Sequence, residues 1–341
     1  MELFSTRVFA RTISVIINRF LVALFLLIVF ANLGHSQNVQ KKTTPFGQAQ
    51  VDPYTIKVNV DMVVLTATVR NHKGAPVSGL DKNDFQVYED GIPQQIKYFS
   101  HEDIPVTVGL VVDNSGSMRP KLSEVVAAAL AFAHSSNPQD QMFVVNFNEH
   151  VSFGLPAGTP FTDQTEPLRV ALSRIKADGQ TALYDAVAVA LEHLKGGNRD
   201  KRVLIVISDG ADNASKHNLA QVMEMAARSD AIIYALGLFD PDDPDKNPRV
   251  LKQIAKATGG EAFLPESLVE VPPICEKIAH DIRSQYTIAY VPSNGNQDGT
   301  FRVIQMKAEA PGSGRLVVRT RTGYTAPLKT QLNAAGQSSH P

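Results

Sequence analysis

Two unbroken apolar runs restrict the folds open to this chain more than any other feature. They are Val106-Thr107-Val108-Gly109-Leu110-Val111-Val112 and Val203-Leu204-Ile205-Val206-Ile207-Ser208. A strand with one wet face alternates apolar and polar residues. A run without alternation belongs to a strand covered on both faces, the situation in parallel sheets wrapped by helices. Between and after these runs come further strand patterns at 142–147 and 231–236. Helical patterns stand at 121–134, 168–175, 182–194, 219–227, 249–257 and 274–284. Strands and helices in alternation predict a doubly wound, mostly parallel α/β sheet over residues 103–284.

Each of the two apolar runs is followed by an aspartate. The first leads into Asp113-Asn114-Ser115-Gly116-Ser117, ahead of Pro120 and a helical pattern; the second leads into Asp209-Gly210. The turns after strand ends are where open α/β sheets bind ligands. Asp113, Ser115 and Ser117 present one carboxylate and two hydroxyls at every second residue, the makings of an oxygen cage for a hard cation. Asp209 leaves its strand at the same edge, and Thr181, after Gly179-Gln180, offers a third hydroxyl from a separate loop. Taken by itself the first turn has a second reading, as a helix cap whose Asp and Ser satisfy free amides.

The flanks carry a different pattern. Short strands are expected at 56–60, 63–69, 85–88 and 96–99, with turns at Asn71-His72-Lys73-Gly74 and Glu89-Asp90-Gly91. After residue 284 the chain returns to strands at 286–291, 301–306 and 316–319. Three strands are few for an independent unit. The expectation is therefore an antiparallel β-sandwich assembled from both flanks, residues 37–102 and 285–328, with the α/β unit inserted between them. The last residues, 329–341, are polar and read as a disordered tail. At the start, Arg7, Arg11 and Arg19 precede the apolar run from Phe20 to Ala31, and small residues stand at Gly34 and Ser36. That is the layout of an export signal over residues 1–36, cut ahead of Gln37. An uncleaved anchor is the competing reading, and membrane attachment is expected only through that segment. Either way the folded part is placed outside the cytoplasm, periplasmic or secreted.

The set Asp113-x-Ser115-x-Ser117, Thr181 and Asp209 resembles the metal-ion-dependent adhesion site of von Willebrand factor type A domains. The likeness covers about residues 104–283. The flanks, with Gly79-Leu80, Asp84-Phe85 and Glu89-Asp90-Gly91, resemble the exported bacterial group related to those domains. The resemblance implies a Rossmann-like fold. It also implies that Ser115, Ser117 and Thr181 hold Mg²⁺ or Mn²⁺ directly and that Asp113 and Asp209 act largely through water. An Asp or Glu carboxylate of a protein partner then fills the sixth place. Three neutral hydroxyls leave the ion's charge poorly compensated, which favours an incoming carboxylate. Some relatives place acidic residues after the second serine for an adjacent cation; here Met118-Arg119-Pro120 follow, so a second metal there is not expected.

Composition adds mainly exclusions. A net charge of −1 gives no reason to expect nucleic acid. The single cysteine, Cys275, forms no internal disulfide and reads as a small buried hydrophobe. There is no phosphate loop, no GxSxG elbow and no His-based metal spacing. An enzyme is not expected. The acidic stretch 240–245 is expected at the cation-bearing edge as a solvated, proline-stiffened loop; a calcium loop would lack the Gly and terminal Glu of the hand-type pattern, and a further reading has the stretch repel acidic surfaces beside the captured carboxylate. The functional expectation is an exported, cation-dependent protein-binding module. The alternatives are an envelope scaffold with the metal as a brace and, behind it, a metal-assisted hydrolase.

Overall fold

The computed structural model describes residues 62–240 and 245–328. The expected export signal, the strand at 56–60, positions 241–244 of the acidic stretch and the tail lie outside the described residues. Among the described residues no helix is long and apolar enough to cross a membrane.

The expected α/β unit is present. Its six-stranded sheet runs β10-β9-β8-β5-β6-β7, with β5 at Val106–Asp113, β6 at Gln141–Phe147, β7 at Val151–Phe153, β8 at Lys201–Ser208, β9 at Ala231–Gly237 and β10 at Ala262–Phe263. All neighbours are parallel except β6 and β7. Every residue of β5 and of β9 is buried, as is all of β8 except Arg202, which accounts for their unbroken apolar text. Helices α1 (Leu122–Ser135), α2 (Thr165–Ser173), α3 (Leu183–Leu194), α4 (Leu219–Arg228), α5 (Pro248–Ala257) and α6 (Val271–Arg283) cover the sheet. α1 packs against α2 and α6; α4 packs against α3 and α5. From β5 the chain first moves outward to β6 and β7. It then returns to the other side of β5 with β8 and continues to β9 and β10. The sheet therefore changes direction between β5 and β8, and a crevice opens at their carboxyl ends.

The flanking strands form two four-stranded antiparallel sheets, β13-β1-β11-β4 and β14-β12-β2-β3. The strands involved are β1 (Val63–Asn71), β2 (Phe85–Glu89), β3 (Ile92–Gln94), β4 (Ile96–Ser100), β11 (Tyr286–Tyr290), β12 (Phe301–Ala308), β13 (Leu316–Arg319) and β14 (Gly323–Thr325). Each sheet mixes strands from before and after the α/β unit. β11 lies between β1 and β4, and β12 lies beside β2. One core holds both sheets together, built from Leu65, Val69, Phe85, Val87, Tyr286, Ile288, Tyr290 and Ile304 among others. Ser100 and Thr287, which flank the α/β unit in the chain, stand opposite each other in the β4–β11 ladder.

Where β1 and β13 meet the α/β unit, the contact is ionic. Arg70 on β1 and Arg319 on β13 both pair with Asp281 of α6 and with Glu261, which stands just ahead of β10. The Asp281 side chain is wholly buried there. Gln285 Nε2 donates to the buried Tyr234 hydroxyl at 3.1 Å close by. A buried charge is tolerable only with partners of opposite sign and good hydrogen bonds. Two arginines supply the opposite charge for Asp281, both on its Oδ2, and leave its Oδ1 without a hydrogen-bond partner among the described residues.

Candidate metal centre

Three segments meet at the crevice: the turn after β5, the loop between α2 and α3, and the loop after β8. Asp113 ends β5 and Asp209 follows β8; both are fully buried. Asp113 Oδ1 accepts the Ser115 amide at 2.9 Å, closing a tight turn, and its Oδ2 accepts the Ser208 hydroxyl at 2.6 Å. Ser208 Oγ in turn accepts the Gly210 amide at 3.0 Å. Ser117 Oγ donates to Asp209 Oδ2 at 2.6 Å, and Ser115 Oγ lies 3.1 Å from Ser117 Oγ. A hydroxyl has one proton. Because Ser117 gives its proton to Asp209, Ser115 is the donor in the serine pair. The run Ser115 to Ser117 to Asp209 thus ends on the carboxylate and leaves each serine with lone pairs to offer.

The DNSGS turn is capped only in part. Ser115 stands where a 3-10 turn, Gly116–Lys121, begins, yet its side chain makes no capping bond. The hydroxyls point at each other and at Asp209, while Asp113 alone serves a local amide.

Four of the five expected residues, Asp113, Ser115, Ser117 and Asp209, are therefore joined by hydrogen bonds at the one crevice. Thr181, itself buried, is brought beside them through its backbone. Gly116 N donates to Gly179 O at 3.1 Å and Asp178 N to Asn114 O at 2.9 Å, stitching its loop to the β5 turn. Gly179 has a φ of +79°, and the Glu149 carboxylate lies where a side chain there would begin. That carboxylate accepts the Gln180 amide at 2.9 Å. On the other flank Gly210, also at φ +79°, lets the backbone at Asn247 approach. Asn247 N then donates to Asp209 O at 3.0 Å.

Burial pushes the Asp113 carboxyl up to about 7, helped by the negative charge of Asp209; the Ser115 and Ser208 hydrogen bonds pull it back only in part. Among the described residues no Lys, Arg or His forms an ion pair with Asp113 or Asp209. Lys121 is buried nearby, but its ammonium donates to the carbonyl of Leu238 at 2.9 Å. Two buried carboxylates without a protein cation, ringed by hydroxyl oxygens, form a donor set that fits a hard divalent ion. Among the described residues no group of three His, Cys, Asp or Glu could hold a metal, so any such ion would depend on hydroxyls.

Residues 108–211 match the family model of the von Willebrand factor type A domain. The chain carries a type A domain. Such domains are commonly protein-interaction or adhesion modules and generally not enzymes. Among solved structures, BatB from Bacteroides thetaiotaomicron is 18% identical, over 52% of this chain and 100% of its own, with a TM-score of 0.44. A von Willebrand factor type A protein from Catenulispora acidiphila is 14% identical over 78% and 74%, at 0.47. The corresponding domain of the type V pilus tip protein Mfa5 from Porphyromonas gingivalis is 13% identical over 53% and 95%, at 0.45. No curated protein sequence matches the chain.

Sequence reasoning missed several residues that build the type A domain's crevice. Ser208 reads as one more strand residue, although its hydroxyl sits on the Asp113 carboxylate and on the Gly210 amide. The run Asp212-Asn213-Ala214-Ser215 reads as a polar loop. It binds the start of α3, whose N-cap Ala182 has no side chain able to accept an amide. Asp212 Oδ1 accepts the Tyr184 amide and Ser215 Oγ the Asp185 amide, each at 3.0 Å. Asp185 reciprocates by accepting the amides of Lys216 and His217. Asn213 Oδ1 accepts the Thr181 amide at 2.8 Å, while the Asn213 and Ala214 amides donate to Thr181 O at 2.9 and 3.0 Å.

Proposed function

We propose that the type A domain is a cation-dependent protein-binding module. In this reading Ser115, Ser117 and Thr181 hold Mg²⁺ or Mn²⁺ directly, Asp113 and Asp209 act through water, and a partner's Asp or Glu carboxylate completes the coordination. The observation that carries it is the pair of buried carboxylates, Asp113 and Asp209, with no cationic side chain among the described residues paired to either. Burying two like charges is costly, and a divalent ion offsets that cost while polarising the hydroxyls around it. The bound ion supplies an electrophilic position for a carboxylate. The chain supplies a fixed set of oxygens on buried residues. Asp113 has one hydrogen bond on each oxygen, which suits a role through water rather than direct ligation. The reading also places the module outside the cytoplasm, on the strength of the N-terminal sequence pattern.

The test is calorimetric titration of the full chain with Mg²⁺ and with Mn²⁺, beside Asp113→Ala and Thr181→Ala, followed by capture of envelope proteins with and without chelator. Saturable binding in the wild type, lost in both variants, with capture that chelator abolishes, is expected. Capture indifferent to chelator and to both substitutions overturns the reading. A melting temperature lowered by chelator with capture intact points instead to a scaffold braced by its metal.

A further inference from the structure

The two walls of the proposed cation site are separate segments, and the type A domain fixes their spacing without any ligand. Thr181 ends one segment and Asp209 begins the other. Between them runs the mutual capping of α3 and the 212–217 loop: Asp212, Asn213 and Ser215 accept amides at the start of α3, and Asp185 accepts amides of that loop. A helix start left without acceptors has up to four unsatisfied amides. Here the acceptors come from the neighbouring loop, so α3 cannot slide or tilt without breaking bonds to the segment that carries Asp209.

We infer that Asn213 is a positioning residue of the cation site, fixing Thr181 against Asp209 without touching the ion. The inference rests on the proposed cation-binding function. Asn213 grips Thr181 in both directions, its side-chain oxygen on the Thr181 amide and its own amide on the Thr181 carbonyl. Thr181 is buried while Asn213 is exposed, so trimming Asn213 removes an acceptor without hollowing the core. On its far side the Thr181 loop rests on Glu149 and on Asn148, whose carbonyl accepts the Ala182 amide at 2.7 Å. Those contacts hold the loop down but do not tie it to Asp209. Mg²⁺ demands near-ideal octahedral geometry at about 2.0–2.1 Å, so a hydroxyl displaced by a fraction of an ångström is a poor ligand. Residues that orient ligands from behind typically change metal affinity by about 10–100-fold.

The experiment titrates the full chain with Mg²⁺ and Mn²⁺ and records the melting temperature in chelator, for wild type, Asn213→Ala and Asn213→Asp. The expected result is a Kd raised about tenfold or more in Asn213→Ala, with the metal-free melting temperature nearly unchanged. Asn213→Asp, which keeps the acceptor oxygen, should restore most of the affinity. A purely structural role would lower the melting temperature and leave the Kd of the folded protein alone. Should Asn213→Ala fold poorly, Asn213→Ser, whose hydroxyl still accepts, takes its place and should show a smaller rise in Kd. Wild-type binding with an unchanged Kd in the variants overturns this inference alone. A wild-type chain that binds neither cation overturns the proposed function and this inference with it.

Discussion

The Ser208 hydroxyl donates a hydrogen bond to Asp113 Oδ2 at 2.6 Å, reaching from one strand to the carboxylate that ends its neighbour. The bond holds the carboxyl at the mouth of the crevice but does not offset its burial beside Asp209. Asp113 titrates near 3.8 in a model peptide and near 7 in the folded chain. A raised folded value means that the native state keeps a proton the unfolded chain has released. The stabilisation is complete below about 3.8 and is lost as pH rises through about 7. In chelator, the wild-type melting temperature should therefore fall more steeply between pH 4 and pH 7, in the range of this titration, than that of Asp113→Asn. Saturating Mg²⁺ should flatten the difference, because the ion favours the charged carboxylate. Parallel profiles for the two proteins in chelator would refute the assignment.

Ser117 is the sole side-chain donor to Asp209 Oδ2 among the described hydrogen bonds. Removing it leaves a buried carboxylate oxygen short of a partner, which costs about 1–3 kcal/mol. Urea denaturation of metal-free Ser117→Ala should show a loss of that size, with Ser117→Thr much closer to wild type. An unchanged midpoint would mean that Asp209 finds another donor.

Asp281 is buried and held by Arg70 and Arg319. Breaking such a cluster by removing one member leaves charges unpaired and costs about 3–5 kcal/mol. Asp281→Ala should lose stability on that scale. Combined with Arg70→Met it should lose less than the sum of the two single changes, since the charge left behind is removed as well. Additive losses would show that the residues act independently.

Cys275 packs in the core of the type A domain on α6, and burial pushes its thiol up to about 12. A neutral, enclosed thiol is a poor nucleophile. Native protein should react with an aromatic disulfide reagent only at the rate of unfolding, and fully once denatured in guanidinium. Rapid labelling of native protein would place the thiol at the surface.

Much of this architecture is legible in the sequence because the decisive signals are local. β5, β8 and β9 are buried almost throughout, so their text is mostly apolar, and Asp113 at the end of β5 and Asp209 just after β8 mark the strand ends. Strands of two or three residues are different. β3, β7, β10 and β14 take their identity from the neighbour they pair with, and no pattern of two or three residues can announce that. α2 begins at Thr165 and α6 at Val271, each three residues before the expected start. In both, the first turn contains proline, Pro167 and Pro272-Pro273, which is compatible with a first turn but breaks the apolar rhythm used to find the start. The trans capping by Asp212 and Ser215 was invisible for another reason. A cap motif is recognised by its distance from its own helix, and here the helix lies some thirty positions upstream.

The pairing of Ser100 with Thr287 has a mechanical consequence. The chain enters and leaves the type A domain side by side on one antiparallel ladder, β4 with β11. A pull on the chain that separates Ile96 from Tyr290 has to open the hydrogen bonds between β4 and β11 before it stretches the domain from end to end. On the proposed function, a pull through a captured partner would enter instead at the carboxyl ends of β5 and β8. The ladder thus guards the two ends of the domain against tension in its own chain, and offers no such guard at the far edge of the sheet.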